Sequence, residues 1–156
     1  LKPAAQLARS GWQLETLAVD AAGRVDFADF TRVVALHPRL LSVMSANNET
    51  GVLQDVPRLA AAARASGAWF HSDAVQALGK LALDFRVLNA AGVHAMTLSA
   101  HKAGGPKGAA ALVGDFLHSL PGEQLGAALK SGLRGQLERL DLAPLLGQLL
   151  EPELFL

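Results

Sequence analysis

Ala68-Trp69-Phe70-His71 runs directly into Ser72-Asp73-Ala74-Val75-Gln76, and this stretch decides the fold. The first four residues read as a short buried strand, the rest as a polar cluster at its end. The same arrangement recurs on both sides. Upstream, Leu40 to Met44 is a short apolar run followed by the polar loop Ala46-Asn47-Asn48-Glu49-Thr50-Gly51. Downstream, Val93 to Leu98 predicts a third strand that ends in Ser99-Ala100-His101-Lys102. Beyond the loop Gly104-Gly105-Pro106-Lys107-Gly108, Ala109 to Val113 predicts a fourth. Asp55 and Pro57 open an alanine-rich helix between the first two strands, and Gly67 closes it. Earlier still, Asp26 caps a helix whose apolar positions are Phe27, Phe30, Val33 and Val34, with Pro38 as its stop. Strands alternating with helices predict an α/β domain with a mostly parallel sheet and flanking helices.

The ends read differently. Pro3 to Ser10 has the pattern of a helix end stopped by Gly11, Trp12 to Val19 that of a strand, and Asp20-Ala21-Ala22-Gly23 that of a turn. After Asp115, Leu125, Leu129, Leu133, Leu137 and Leu140 suit one helical face. Gly126, Gly132 and Gly135 each weaken such a helix by roughly 1 kcal/mol relative to Ala. The expected organisation is therefore a domain over residues 1–114 and a divergent, Leu-rich tail over 115–156.

Composition narrows the function. The 156 residues carry 14 Lys and Arg against 14 Asp and Glu, a formal net charge of zero. Nucleic-acid and anionic-membrane binders need a positive surplus, so neither partner is expected. With 51% hydrophobic and 18% charged residues, the chain can build a core. There is no cysteine, which excludes an in-chain disulfide, thiolate metal site or catalytic thiol. No apolar run approaches the roughly 18 residues of a membrane helix. No signal peptide is visible, and the first residue is not Met, which suggests a processed chain or a fragment. The expected setting is soluble, reducing and cytoplasmic.

The polar clusters at the three strand ends are Asn47-Asn48-Glu49, then His71, Asp73 and Gln76, then Ser99, His101 and Lys102. If the strands are parallel neighbours, the clusters converge on one rim, where open α/β sheets bind ligands. Lys102 stands beyond an apolar strand, beside a His and a glycine loop. Desolvation of such a lysine lowers its pKa and frees the amine for a Schiff base. An Asp near a strand end suits a pyridoxal phosphate site, where a carboxylate keeps the ring nitrogen protonated. Ser99, His101 and backbone N–H groups could hold the phosphate. The alternative is that Lys102 is a solvated loop lysine. His71 and Asp73 share a strand face and could instead be two ligands of a metal, with His94 or His101 as a third; the stronger expectation is no metal. His94 reads as a core histidine with a hydrogen-bond partner, His37 and His118 as surface residues, and Lys80 and Lys107 as surface charges.

Taken together, three segments resemble the class V aminotransferase family, in particular its cysteine desulfurase branch. They are Ser42 to Gln54, containing Asn47-Asn48-Glu49-Thr50-Gly51; Phe70 to Lys80, containing His71-Ser72-Asp73-Ala74-Val75-Gln76; and Leu98 to Gly108, containing Ser99-Ala100-His101-Lys102. They follow in the family's order, and the resemblance covers roughly residues 10 to 114. It implies the type I fold of pyridoxal phosphate enzymes, usually homodimers. It also implies roles. Lys102 would form the Schiff base with pyridoxal 5'-phosphate and move the substrate's α-proton. Asp73 would pair with the ring nitrogen, and Gln76 and Asn48 would lie at the phenolic oxygen. Ser99 and His101 would bind the phosphate, and His71, counted with Lys102 as catalytic, would lie close to the cofactor. In desulfurases a separate cysteine takes sulfur from L-cysteine as a persulfide and leaves alanine. That implies a possible sulfur-acceptor protein and a place in sulfur transfer and iron–sulfur cluster assembly.

The resemblance also shows what this chain lacks. The family's ring-stacking His and a phosphate-binding Gly-Thr segment would precede Leu1. The loop with the catalytic Cys and the small C-terminal domain would follow. Where the family has a Gly-Gly-Gln-Glu segment and then Arg-x-Gly-Thr, this chain reads Leu120-Pro121-Gly122-Glu123-Gln124, with no Arg-x-Gly-Thr after it. The expectation is an incomplete large domain with little or no turnover of its own, as a truncated or frame-disrupted gene product would be. A related class V enzyme, such as a selenocysteine lyase or an aminotransferase, is one alternative. A non-catalytic partner that keeps the fold is the other.

Overall fold

The computed structural model describes Ala8, Arg9 and residues 11–115. The chain divides into two compact units, Glu15–Gly114 and a second made of Leu1–Leu14 with Asp115–Leu156. The first unit carries the architecture below. The expected Leu-rich tail helix, His118, and most of the helix read over Pro3 to Ser10 lie outside the described residues.

Helix α1, Phe27–Val34, begins where Asp26 adopts extended backbone and its carboxylate accepts from Ala28 N and Asp29 N. It ends before Pro38 is reached. Leu36 N donates to Val33 O and His37 N to Val34 O, and His37 turns the chain at φ 52°. Strand β1, Leu40–Met44, follows, then the polar loop, then α2, Val56–Ala63, with Asp55 accepting from Arg58 N and Pro57 in the first turn. A 3₁₀ turn over Arg64–Ser66 runs α2 into Gly67, whose φ of 70° ends it. Strand β2, Trp69–Asp73, helix α3, Phe85–Ala91, strand β3, Ala95–Ser99, and strand β4, Ala110–Gly114, complete the unit.

The sheet order is β1-β2-β3-β4. β1 and β2 run parallel, from Leu40 opposite Trp69 to Met44 opposite Asp73. β2 and β3 are also parallel, with His71 opposite Ala95 and Asp73 opposite Thr97. β4 returns antiparallel, from Ser99 opposite Ala110 to Ala95 opposite Gly114. The sheet is mostly parallel, as the alternation predicts.

Side chains alternate across a strand, so each strand has two faces. One face takes Leu41, Val43 and Phe70, which pack with Phe30 and Val33 of α1 and Val56, Leu59, Ala60 and Ala63 of α2. Leu88 of α3 packs on this core and on Met96 of β3. Ser42, His71, Asp73, Thr97 and Ser99 therefore belong to the opposite face. The hydrogen bonds from the His71 ring to Ser42 Oγ and Thr97 Oγ1 fit that assignment.

Three expectations need correction. Residues 12–18 form no strand; only Val19 bridges Val25, because the Asp20 carboxylate accepts from Ala22 N and Arg24 N and closes a tight turn there. β2 does not stop at His71 but runs to Asp73, because strands on both sides stay paired with it that far. His71 is thus inside the sheet rather than at its end. α3 has no counterpart in the reading above. Its markers are Asp84, which accepts from Arg86 N, and Gly92 at φ 119°. Seven residues hold fewer than two full turns of periodicity, so only these caps advertise the helix.

Candidate active site

Because β1, β2 and β3 are adjacent and parallel, the loops leaving their C-terminal ends emerge side by side on one rim. Backbone bonds tie these exits together: Ser45 N donates to Asp73 O at 2.7 Å, and Ala74 N donates to Thr97 O at 3.0 Å. The turn after β2 also touches the loop after β3. A Cβ built on Gly79 would stand 3.3 Å from Ala103 Cβ.

The loop after β1 is shaped by Asn47. Its Oδ1 accepts from Glu49 N and Thr50 N, and its backbone pairs with Val52 and Gly51. That commits Asn47 to the backbone and leaves Asn48 exposed, with no partner among the described residues. Gln54 anchors the loop's far side: Oε1 accepts from Val25 N, Nε2 donates to Gly23 O, and its backbone N donates to Ser45 O. Below the rim, the buried hydroxyls of Ser45 and Ser72 bond to each other at 2.8 Å.

Asp73 stands at the end of β2, part-buried. One carboxylate oxygen accepts from Val75 N at 2.9 Å, and the other has no partner among the described residues. Burial pushes its pKa above the usual carboxylate value, against the smaller effect of the Val75 bond. Two residues upstream, His71 is 1% exposed. Its Nδ1 lies 2.8 Å from Ser42 Oγ and its Nε2 3.3 Å from Thr97 Oγ1. Burial pushes this imidazole down to about 4, so it is neutral at physiological pH. Gln76, in the turn beyond, accepts from Lys80 Nζ at 3.0 Å through Oε1.

Thr97 is the register partner of Asp73, and Ser99 lies two residues further on the same face. Ser99 Oγ is 2.8 Å from His101 Nδ1. The 3₁₀ turn Ala100–Ala103 carries His101 and Lys102, and Lys102 has no hydrogen-bond or ion-pair partner among the described residues. Its return is built on Gly105, whose N donates to Ala100 O at 2.8 Å. A Cβ there would stand 2.8 Å from Ala100 Cβ and 3.0 Å from Ala100 O, so no larger residue fits unmoved.

The other histidines stand apart. His94 Nδ1 accepts from Phe70 N, and its ring lies 5.1 Å from that of Trp69. His37 is exposed in the turn after α1. Among the described residues, no three His, Asp or Glu side chains come close enough together to hold a metal ion.

Among the described residues, the rim carries a part-buried carboxylate with one unpartnered oxygen, an unpartnered primary amine, carboxamide donors and a hydroxyl–imidazole pair. These are the group types that suit a cationic ring atom, an electrophilic carbonyl and an anion. Comparison with known proteins names the class. Residues 1–132 match the family model "Aminotransferase class-V". The chain belongs to that family, whose members are pyridoxal phosphate enzymes. It is 46% identical over 107 residues to a cysteine desulfurase of Bradyrhizobium diazoefficiens, covering 69% of this chain and 26% of that protein. The apo structure of a cysteine desulfurase from Thermococcus onnurineus superposes with a TM-score of 0.67 at 29% identity, over 74% of this chain and 28% of that one. A NifS-like protein from Rickettsia africae gives a TM-score of 0.63 at 32% identity, over 70% and 31%. The chain thus spans about a quarter of the length of the first of these relatives.

The residue types at this rim, a carboxylate, a primary amine, carboxamides and a hydroxyl–imidazole pair, are of the kinds that pyridoxal phosphate needs. Sequence reading missed Thr97, Gln54 and the Ser45–Ser72 pair. Each is an uncharged polar residue in or beside an apolar run, and that interruption is the only signal it leaves.

Proposed function

We propose that residues 1–114 are part of the pyridoxal 5'-phosphate-binding large domain of a cysteine desulfurase-like enzyme, followed by a separate tail over 115–156. The proposed substrate is L-cysteine, with a sulfur-acceptor protein as partner, a homodimer as the assembly of the whole enzyme, and the cytoplasm as the setting. The observation that carries this reading is the register of β2 and β3. It sets Asp73 opposite Thr97, two residues before Ser99, with Lys102, unpartnered among the described residues, on the next turn.

When bound, pyridoxal phosphate supplies an electron sink for a carbanion at the amino acid's α-carbon. The chain's residues do the rest. Lys102 would hold the cofactor covalently and move the α-proton. Asp73 would pair with the ring nitrogen and favour its protonated form. Gln76 and Asn48 donate to the phenolic oxygen. Ser99 and His101 hold the phosphate. His71 serves as a neutral imidazole fixed by Ser42 and Thr97, close to the ring. No cysteine is present, so the thiol that takes up sulfur must come from outside these 156 residues.

Titration of the chain with pyridoxal 5'-phosphate, borohydride reduction and mass mapping tests the site. The expected result is a weak but selective adduct at Lys102. A label spread evenly over Lys2, Lys80, Lys107 and Lys130 would refute the assignment.

A further inference from the structure

We propose that Lys80 is a positioning residue that decides which end of the Gln76 carboxamide faces the cofactor; the inference rests on the cofactor reading above. Lys80 Nζ lies 3.0 Å from Gln76 Oε1. An ammonium can only donate, so the atom it faces must be the carbonyl oxygen. Nε2 is thereby turned away, and its two N–H groups have no partner among the described residues. An unrestrained carboxamide flips between two orientations that fill the same space, and only one offers a donor to a phenolic oxygen.

The turn after β2 builds this contact. Ala77 N and Leu78 N both donate to Ala74 O, and Lys80 N donates to Ala77 O. Gly79, at φ 74°, turns the chain so that Lys80 meets Gln76 four residues back. The Cα of the same glycine faces Ala103, next to Lys102, so the turn that carries Gln76 and Lys80 touches the loop that carries Lys102. The ammonium also polarises the carboxamide and makes its N–H groups stronger donors. A stronger donor to the phenolic oxygen favours that oxygen's anion, which lowers the pH at which the bound cofactor titrates.

The test has two readouts on the full chain. In the cofactor-free, 15N-labelled protein, the side-chain amide resonances of Gln76, assigned by their loss in Gln76→Leu, should move in Lys80→Met. They should return in Lys80→Arg, since Arg also only donates. With pyridoxal 5'-phosphate bound, the midpoint of its absorbance change with pH should rise by about 0.5 unit in Lys80→Met and return in Lys80→Arg. Amide resonances that ignore Lys80→Met would show that the hydrogen bond does not form, and overturn the inference. If they move but the midpoint does not, while borohydride still traps the adduct at Lys102, the inference fails and the cofactor reading stands. If no selective Lys102 adduct forms in the parent chain, the cofactor reading fails and takes the role of Lys80 with it.

Discussion

Acid should unfold this chain through His71. The imidazole is 1% exposed and sits in the sheet between Ser42 and Thr97, and burial holds its pKa at about 4 against an ordinary 6.5. The unfolded chain therefore takes up a proton near pH 6.5 that the folded chain refuses until about pH 4. Stability from this group is complete above pH 6.5 and drains away as pH falls toward 4. With those two values the loss from pH 7.5 to pH 5 is about 2 kcal/mol, approaching about 3 kcal/mol at the full shift. Asp73 works in the opposite sense. Its folded pKa is raised, so its contribution is present below the unfolded carboxylate value and is lost as pH rises through the raised one. The assay is urea unfolding of the full chain at pH 7.5, 6.5, 5.5 and 5.0, for the parent and for His71→Asn, which keeps a hydrogen-bonding side chain but does not titrate. The parent should lose about 2 kcal/mol over that range, and the variant's curve should be flatter by about that amount. An equal acid loss in the two proteins would refute the reasoning. If His71→Asn does not fold, the imidazole proton resonances of the parent decide: an ordinary titration near pH 6.5 would mean that His71 is not desolvated.

Three further outcomes follow from the site. Asp73→Asn should leave the free chain no less stable at pH 7, since it removes a buried and half-unpartnered carboxylate. It should weaken pyridoxal phosphate binding about 10- to 100-fold, as loss of one charge-assisted bond does; an unchanged dissociation constant would remove Asp73 from the site. Gly105→Ala should cost about 1–3 kcal/mol by thermal or urea unfolding, because its Cβ meets Ala100 Cβ at 2.8 Å; an unchanged midpoint would mean that the return of the Lys102 loop is not tightly built. The isolated chain should release no sulfide from L-cysteine and reductant beyond free cofactor; turnover abolished by Lys102→Ala would overturn this.

The residues that make the middle of the fold legible act locally. Asp26 and Asp55 bond the first N–H groups of their own helices, and Gly67 and Gly92 end the segments before β2 and β3 in backbone that other residues avoid. Leu40–Met44 is read with its observed bounds, because its neighbours at both ends are turn formers. Long-range contacts decide what was misread. Nothing inside Ala68 to Asp73 says that pairing continues past His71; that depends on Met44 and Thr97, far away in the chain. Trp12 to Val19 has the composition of a strand, but its one β-bridge joins Val19 to Val25, and Ala18 N is taken by the Asp29 carboxylate instead of a neighbouring strand. The candidate site divides along the same line. Its residue types and spacings are visible in the chain, whereas the use of both His71 nitrogens, the free oxygen of Asp73 and the hold of Lys80 on Gln76 exist only once strands and turns are assembled.

The alternation of the strands explains why chemistry and stability can share a five-residue element. In β2, Phe70 faces the helices and joins the core, while His71 and Asp73, its neighbours on the other face, meet other residues. A substitution at Phe70 is then a packing event, expected to cost about 3–5 kcal/mol for Ala. A substitution at Asp73 changes the charge of a part-buried side chain at the rim. The same division runs through β3, where Met96 packs against α3 and Thr97 supports His71. Burial strips part of the water from Asp73 and so leaves a carboxyl group that gains from a cationic partner. Lys102 stands one strand over, on a turn that Gly105 closes and Gly79 touches. A cationic ring nitrogen docked against Asp73 should favour its ionised form, against the effect of burial. Affinity for such a ligand should therefore depend on pH, and that is measurable even where turnover is absent.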